Sequence, residues 1–444
     1  MSVTQREFFE VLAGAVCEPA AGADRITLYL KAEDSRFVRF NHAAVRQATQ
    51  VNQAYATVAV EHGSRRIETT LSLTGQLDAD RSALLAERDT LLGHLPDVPE
   101  DPYLLQPEEP TSSSRHETGA LPSADALVLA VTSAAKGLDF VGFYAGGPVI
   151  RAFADSRGQR HWHHVESFHF DWCLYKQADK AVKTVYAGTH WDAAEFAQRV
   201  AAGAQQLSLL ALPPRQLEPG AYRAYFTPTA MAELLGTLAW GGFGLQARRT
   251  GTSSLSRLAH RDAQLSPLVD FSEDIAHGIA PAFTAEGFAK PASVSLVEHG
   301  QCTGTLNSPR SARQYGVPTN AANAEEFPEA LRLAPGTLPA ASALTALDTG
   351  LYVSNLWYLN YSDRQACRMT GMTRFACFWV EGGKLVAPLA VMRFDDSFLR
   401  MFGEGLIALT DHAELIPDSG TYKERQLGST TTPGALVEGW RLTL

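Results

Sequence analysis

The sequence predicts an α+β fold: an N-terminal α+β region with an antiparallel meander, then a C-terminal β-rich domain of antiparallel sheets. Three observations carry this. Segments rich in Val, Ile, Thr and Tyr alternate apolar and polar residues. A few segments with helical spacing follow capping residues. Proline-rich stretches punctuate the chain in two places. At 444 residues the chain is about three times a typical domain, so more than one core is expected.

In chain order, Thr4 and Glu7 fit a capping box ahead of a short helix carrying Phe8, Phe9, Val11, Leu12 and Val16. Residues 26–32, 36–40, 49–62 and 65–73 read as the strands of the meander, and 79–95 returns to helical spacing. Residues 96–122 hold repeated prolines, a serine run and several acids; fixed φ angles and little to bury make this an extended loop or linker. Ser123 caps a helix over 124–136, which Gly137 can end. A β-rich run follows over 139–186 with a turn at 155–158, and Asp192 with Glu195 precedes a helix over 193–207.

The second proline-rich stretch, 213–220, divides the chain into regions 1–215 and 216–444, with 96–122 inside the first. Thr227 and Pro228 form an N-cap/N1 pair for a helix to about Trp240. Two hairpins turn at His299–Gly300 and Gly382–Gly383, residues 395–402 read as a short helix, and 434–444 as a last strand.

Charge and cysteine usage narrow the function. Lys and Arg number 38 against 48 Asp and Glu, a net charge of −10, which disfavours general binding to nucleic acid or to an anionic membrane. Five dispersed cysteines (17, 173, 302, 367, 377) never adopt CxxC spacing, which argues against a disulfide scaffold or a Cys-rich zinc module. No apolar run approaches a membrane span, and the first ten residues carry charges where a signal peptide is apolar; a cytoplasmic protein is expected.

The densest set of possible ligands is RHWHHVESFHFDW, with His161, His163, His164, Glu166, His169 and Asp171. On a strand, His161 and His163 share one face, while His164 and Glu166 share the other with Phe168, Phe170 and Trp172. Imidazoles are common in strands without any ion, so these residues read as a hairpin arm of mixed exposure, with a metal site as the alternative. HExxH and HExxxH are absent, as are a GxSxG elbow, a P-loop and GxGxxG. Gly241, Gly242 and Gly244 follow a helix instead of opening one, which suits a C-cap. Arg364, Arg368 and Arg374 with Asn307, Asn355 and Asn360, among Trp357, Tyr358 and Tyr361, read either as a solvated loop or as a groove for a peptide or carboxylate.

The order of several segments resembles the TldD/TldE (PmbA) family. They are SRFVRFNHAAVRQ (35–47), GAYRAYFTPTAMAELLGTLA (220–239), GTSSLSRL (251–258), the stretch from AEGFAKPASVSLVEHG to QYGVPTN (285–320), GLYVSNLW (350–357), FWVEGGKLVAPL (378–389) and DDSFLRMF (395–402). The resemblance implies two kinds of member. TldD-like chains carry HExxxH on the helix corresponding to residues 229–240, plus a late cysteine, and are zinc metallopeptidases acting on unfolded or small peptides. TldE-like chains lack these ligands and pair with TldD in a closed heterodimer.

By that resemblance the two histidines fall near Gly236 and Gly241 and the glutamate near Thr237; Glu233 is the helix's only acid, and residues 423–433 hold no cysteine. The implied function is a non-catalytic TldE-like subunit without a zinc of its own, partnered by a TldD-like metallopeptidase subunit or by itself as a homodimer. Thr237, Trp240, Thr252, Ser253, Asn355 and Arg374 would line its peptide chamber. One alternative is an active, divergent zinc metallopeptidase using His161, His163, His164 or His169 with Asp171. Another is a homodimeric peptide-binding scaffold without proteolysis. The family's association with gyrase modulation and peptide-antibiotic maturation is not selected by any of these residues.

Overall fold

In the computed structural model, residues 2, 4–177 and 180–443 are described. The N-terminal part comprises α1 (Arg6–Val16), β1 (Arg25–Asn41), β2 (Ala44–His62), β3 (Arg65–Ser72), α2 (Leu77–His94), β4 (Ser112–Glu117), α3 (Ala124–Ala134), β5 (Asp139–Asp155), β6 (Arg160–Gln177), β7 (Lys180–Gly188) and α4 (Ala193–Leu209). Its sheet runs β3-β2-β1-β5-β6-β4, with β7 also pairing β6.

The meander is present as expected, but three local expectations change. α1 starts after Gln5 with no side-chain cap, because Thr4 hydrogen-bonds back to Ser2 instead of closing a capping box with Glu7. β1 is one strand and not two: the polar residues Glu33, Asp34 and Ser35 interrupt the apolar alternation, yet their backbone still pairs with Gln53, Asn52 and Val51 of β2. The proline-rich stretch is not a plain linker, since β4 within it pairs parallel with β6 and straps the edge of the sheet.

Strand alternation gives this sheet two different faces. Even-numbered residues such as Leu28, Val58, Ile150 and Ala152 pack against α1 and α2. Further along the same face Phe40, Phe140, Phe168, Phe170 and Trp172 pack against α3 and α4. The odd-numbered residues of β5 and β6 look the other way, toward the C-terminal part, where Val149 and Val165 meet Ile279 and Leu427.

The C-terminal part comprises β8 (Gly220–Phe226), α5 (Pro228–Ala239), α6 (Leu245–Arg249), α7 (Ser256–Ala259), β9 (Phe271–Glu273), β10 (Val294–Glu298), β11 (Gln301–Cys302), α8 (Pro309–Tyr315), β12 (Ala330–Leu333), α9 (Ala343–Leu347) and β13 (Gly350–Val353). It continues with β14 (Asn355–Asp363), β15 (Arg368–Arg374), β16 (Phe378–Glu381), β17 (Lys384–Pro388), β18 (Arg393–Ser397), α10 (Phe398–Met401), β19 (Leu406–Pro417) and β20 (Ser429–Leu442). Both expected hairpins are present, β10–β11 and β16–β17. Residues 395–402 are half strand and half helix: β18 pairs with β15 up to Ser397 before α10 begins. The last strand starts earlier than expected, at Ser429, and Leu444 lies outside the described residues. Most pairings are antiparallel, but β8–β13 and β12–β20 are parallel.

α5 is held by a cap shared with the sheet. Thr227 Oγ1 accepts from the Ala230 N–H at 3.2 Å and donates to Ser354 C=O at 2.8 Å, so one hydroxyl both caps the helix and ties it to the end of β13. Pro228 supplies the preset first helical residue. Met231, Leu234, Leu235 and Leu238 are buried. Thr227→Ala is expected to cost about 1–2 kcal/mol of stability, with Thr227→Ser close to wild type, read from urea unfolding midpoints. Equal midpoints for Ala and Ser would refute the capping role.

Candidate functional site

A cavity of about 470 Å³ lies between the odd-numbered face of the N-terminal sheet, α5, and the segment joining β19 to β20. The sheet contributes His169, Asp171, Lys183 and Val185, and α5 contributes Thr229, Ala232, Glu233, Gly236 and Ala239. Ile416, Pro417, Asp418 and Ser419 close one side with Gly428, Ser429 and Thr430. A Cβ built on Gly236 would meet nothing within 4 Å, so this helix position opens into free space.

The segment from Asp418 to Gly428 is pinned to the N-terminal sheet. Arg425, 4% exposed, donates to Gly147 C=O at 2.9 Å and to both oxygens of Ser167, at 2.9 and 3.0 Å. Glu424 takes Lys31 at 2.9 Å and Arg151 at 3.1 Å. Gly147 sits at φ +142°, and a Cβ there would lie 2.1 Å from Asp34 C=O, so only glycine permits this close strand contact.

Several polar atoms at the cavity have no partner among the described residues: His169 Nε2, Asp171 Oδ1 and Ser429 Oγ. Burial, with Arg425 nearby, holds His169 down at about 4, so its ring is neutral at pH 7. Burial raises the Asp171 carboxyl, which Lys183 only partly offsets. Glu233 is pushed up to about 7 by burial, against hydrogen bonds from the Leu356 N–H and Asn355 Nδ2.

This raised carboxyl makes stability depend on pH. Glu233 keeps its proton longer in the folded chain than in the unfolded one, so stability falls as pH rises from about 4.5 through about 7. Glu233→Gln removes this slope. The variant is expected to gain on the order of 3 kcal/mol relative to wild type between pH 4.5 and pH 8 in urea unfolding. A difference independent of pH would refute the assignment.

The histidines named as possible metal ligands do not converge. His161 hydrogen-bonds Ser113 Oγ at 2.8 Å and stacks on Phe283 at 4.9 Å. His163 donates from Nε2 to Ile279 C=O at 3.1 Å, and His164, on the opposite face, stacks on His116 at 4.3 Å. At a rise of about 3.3 Å per residue, His161 and His169 are roughly 26 Å apart along β6. Burial depresses all four, to about 4 for His161 and about 3 for His163. Among the described residues no three His, Cys, Asp or Glu side chains are arranged to hold a metal ion.

Of the residues expected to line a chamber, Asn355 comes nearest, as the buried partner of Glu233. Thr237 lies one turn along α5, donating to Glu233 C=O, and Trp240, 51% exposed, carries Arg364 over its ring at 4.7 Å. Thr252 and Ser253 instead shape the loop after α6. Ser253 is 1% exposed and donates to Gly242 C=O at 2.7 Å, away from this cavity's lining, and Thr252 bonds Ala247 C=O. Arg374 lies over the Trp357 ring at 4.6 Å, outside the cavity lining. Gly236, Lys183, Asp418 and Ser429 line the cavity without standing out in the sequence as lining residues. The lack of a side chain at Gly236 and the single acid of α5 are the signals that point to this wall.

Solved structures share this architecture. TldE from Thermococcus kodakarensis superposes with a TM-score of 0.81 at 13% identity, covering 98% of this chain and all (100%) of that one. A candidate modulator of a DNA gyrase from Thermotoga maritima gives 0.75 at 14% identity, covering 98% and 99%. Another from Bacteroides thetaiotaomicron gives 0.75 at 13%, covering 99% and 98%. No curated protein matches in sequence. Among the described residues no helix is long and apolar enough to cross a membrane. The family model described as PmbA/TldA metallopeptidase C-terminal domain matches residues 219–443, a span that includes the whole α5 side of the cavity and the β19–β20 segment; the chain belongs to that family.

Proposed function

We propose that the chain is a non-catalytic, TldE-like subunit of a TldD/TldE-type metallopeptidase assembly, one wall of a chamber that holds peptides. The observation that carries this is the cavity at α5. The family resemblance puts one of its two histidines near Gly236, which lines the cavity with open space beside it, and the β19–β20 segment opposite offers Asp418, Ser419 and Ser429 and no cysteine. A wall of this kind supplies shape and polar contacts while its partner supplies the metal and the activated water.

The decisive experiment is co-purification of the tagged full chain from its own cells, followed by metal analysis and peptide cleavage. The expected result is a complex with a family member that carries HExxxH. Zinc should be present at about one per complex and lost when the partner is removed, and cleavage should require both chains. A strictly self-associated chain that carries stoichiometric zinc and cleaves peptides alone would overturn the proposal in favour of a divergent peptidase. Self-association without zinc or cleavage would overturn it in favour of a scaffold.

A further inference from the structure

Asp171 and Lys183 stand between two cavities. Both residues also line a second one of about 600 Å³, which lies across the N-terminal sheet and is bordered by Arg39, Asn41, Arg46, Gln47, Phe143 and Tyr175. The floor is continuous because strand register places Gln47, Arg39, Phe143, Asp171 and Val185 in one row across β2, β1, β5, β6 and β7. Arg39 lies over the Phe143 ring at 5.4 Å, which fixes its guanidinium above this floor.

The two ends have opposite charge. Asp171, Glu233 and Asp418 border the α5 end, with Lys183 its one lining cation among the described residues. Arg39 and Arg46 border the other, with Lys183 and Asp171 at the junction. The acidic end is more than a cluster of carboxylates. His169, only 4% exposed, lines it with Nε2 unpartnered, and Asp171 Oδ1 and Ser429 Oγ lack partners there as well. Buried polar groups without partners are costly; Asp171 Oδ1 can only accept, and His169 Nε2 and Ser429 Oγ can accept as well, so this end can take up a donor-bearing cation. The raised carboxyls of Asp171 and Glu233 agree, since each lacks a positive neighbour that fully offsets its burial.

From Arg39 on β1 to Asp171 on β6 is two strand spacings, about 10 Å, the reach of roughly three extended residues. Resting on the reading of the chain as a chamber wall, we propose that the joined trough binds short free peptides, with the N-terminal ammonium at Asp171, Glu233 and Asp418 and the C-terminal carboxylate at Arg39 and Arg46. Guanidinium forks suit a terminal carboxylate, and paired carboxylates suit an ammonium with three donors. A peptide chosen in this way is a cleavage product or a small substrate, not an internal stretch of a longer chain.

Calorimetry on the full chain, and on any complex it forms, compares trialanine with its N-acetyl form, its C-terminal amide and the doubly blocked peptide. Free trialanine is expected to bind, with each block weakening it at least about tenfold, one charge-assisted contact being lost at each end. Asp171→Asn should abolish the penalty for acetylation alone. The pair Arg39→Gln and Arg46→Gln should abolish the penalty for amidation alone. Blocked peptides binding as tightly as the free one would overturn the inference, and so would no binding of trialanine to either preparation. The wild-type comparison stands even if a variant fails to fold. Partner co-purification is read separately, so failure of this inference and failure of the subunit reading are distinguishable.

Discussion

Replacing Arg425 by Ala is expected to destabilise the protein by about 3–5 kcal/mol, read as a fall in the urea midpoint. The side chain is 4% exposed and reaches from the β19–β20 segment into the N-terminal sheet, where it serves Gly147 C=O, Ser167 C=O, Ser167 Oγ and, at 3.5 Å, Ser35 Oγ. Truncation leaves these acceptors buried without a donor, at roughly 1–3 kcal/mol for each that water cannot reach. It also empties the volume the long stem occupies. Burial has already drawn the guanidinium down to about 10, opposed by Glu33, so a large desolvation cost is built into the native state. Lys in its place carries the charge but not the planar fork that spans two strands, and an intermediate loss is expected. Because Asp418, Ser419 and Gly428 flank this anchor and line the cavity, amide exchange should quicken there first. A loss below about 1 kcal/mol would show that the anchor is incidental.

Phe170→Ala is expected to cost a similar 3–5 kcal/mol. The ring is fully buried, 5.4 Å from Phe196 in a stacked pair, 5.2 Å from Trp172 and 5.8 Å from both Phe40 and Tyr144. It thus joins three strands and α4 in one aromatic cluster, and its loss leaves a cavity the rigid sheet cannot close. Phe170 stands between His169 and Asp171 on β6 and faces away from them, so the core holds the site's side chains from behind. Phe170→Leu should keep about half of the lost stability, whereas Ala should also weaken any peptide bound at the front of the strand. Equal stability of Ala and Leu variants would refute the packing argument.

Local chemistry carries much of the fold in the sequence. Thr227 before Pro228 marks a helix start because hydroxyl cap and fixed φ are neighbours in the chain, and α5 begins there. Gly382–Gly383 marks a hairpin for the same reason: the turn's requirements are met within two residues. β4 is hidden because SSSRHE has no apolar alternation, and its partner strand begins about fifty residues later. β1 reads as two strands broken at Glu33–Ser35 in the sequence because the groups that satisfy those side chains, Gln53 from the next strand and Arg425 from the far end of the chain, are invisible locally. The site is legible in pieces: His169 and Asp171 stand out as possible ligands, and Glu233 as a lone acid. Strand register, which sets Arg39 in line with Asp171, and the docking of residues 416–430 over α5 depend on contacts between distant parts of the chain.

The place of the last strand bears on how the chain is made. β20 pairs with β8, β12, β18 and β19, so the first strand of the C-terminal sheet waits for its neighbour until residues 429–442 have been synthesised. At about 5–20 residues per second that interval is on the order of 10–40 s. During it, Phe226 lacks Trp440, its ring neighbour at 5.0 Å, and the backbone of β8 lacks one of its two flanking strands. Until β20 is made, the nascent chain therefore carries an unzipped seam beside β8 that local folding of α5 cannot close.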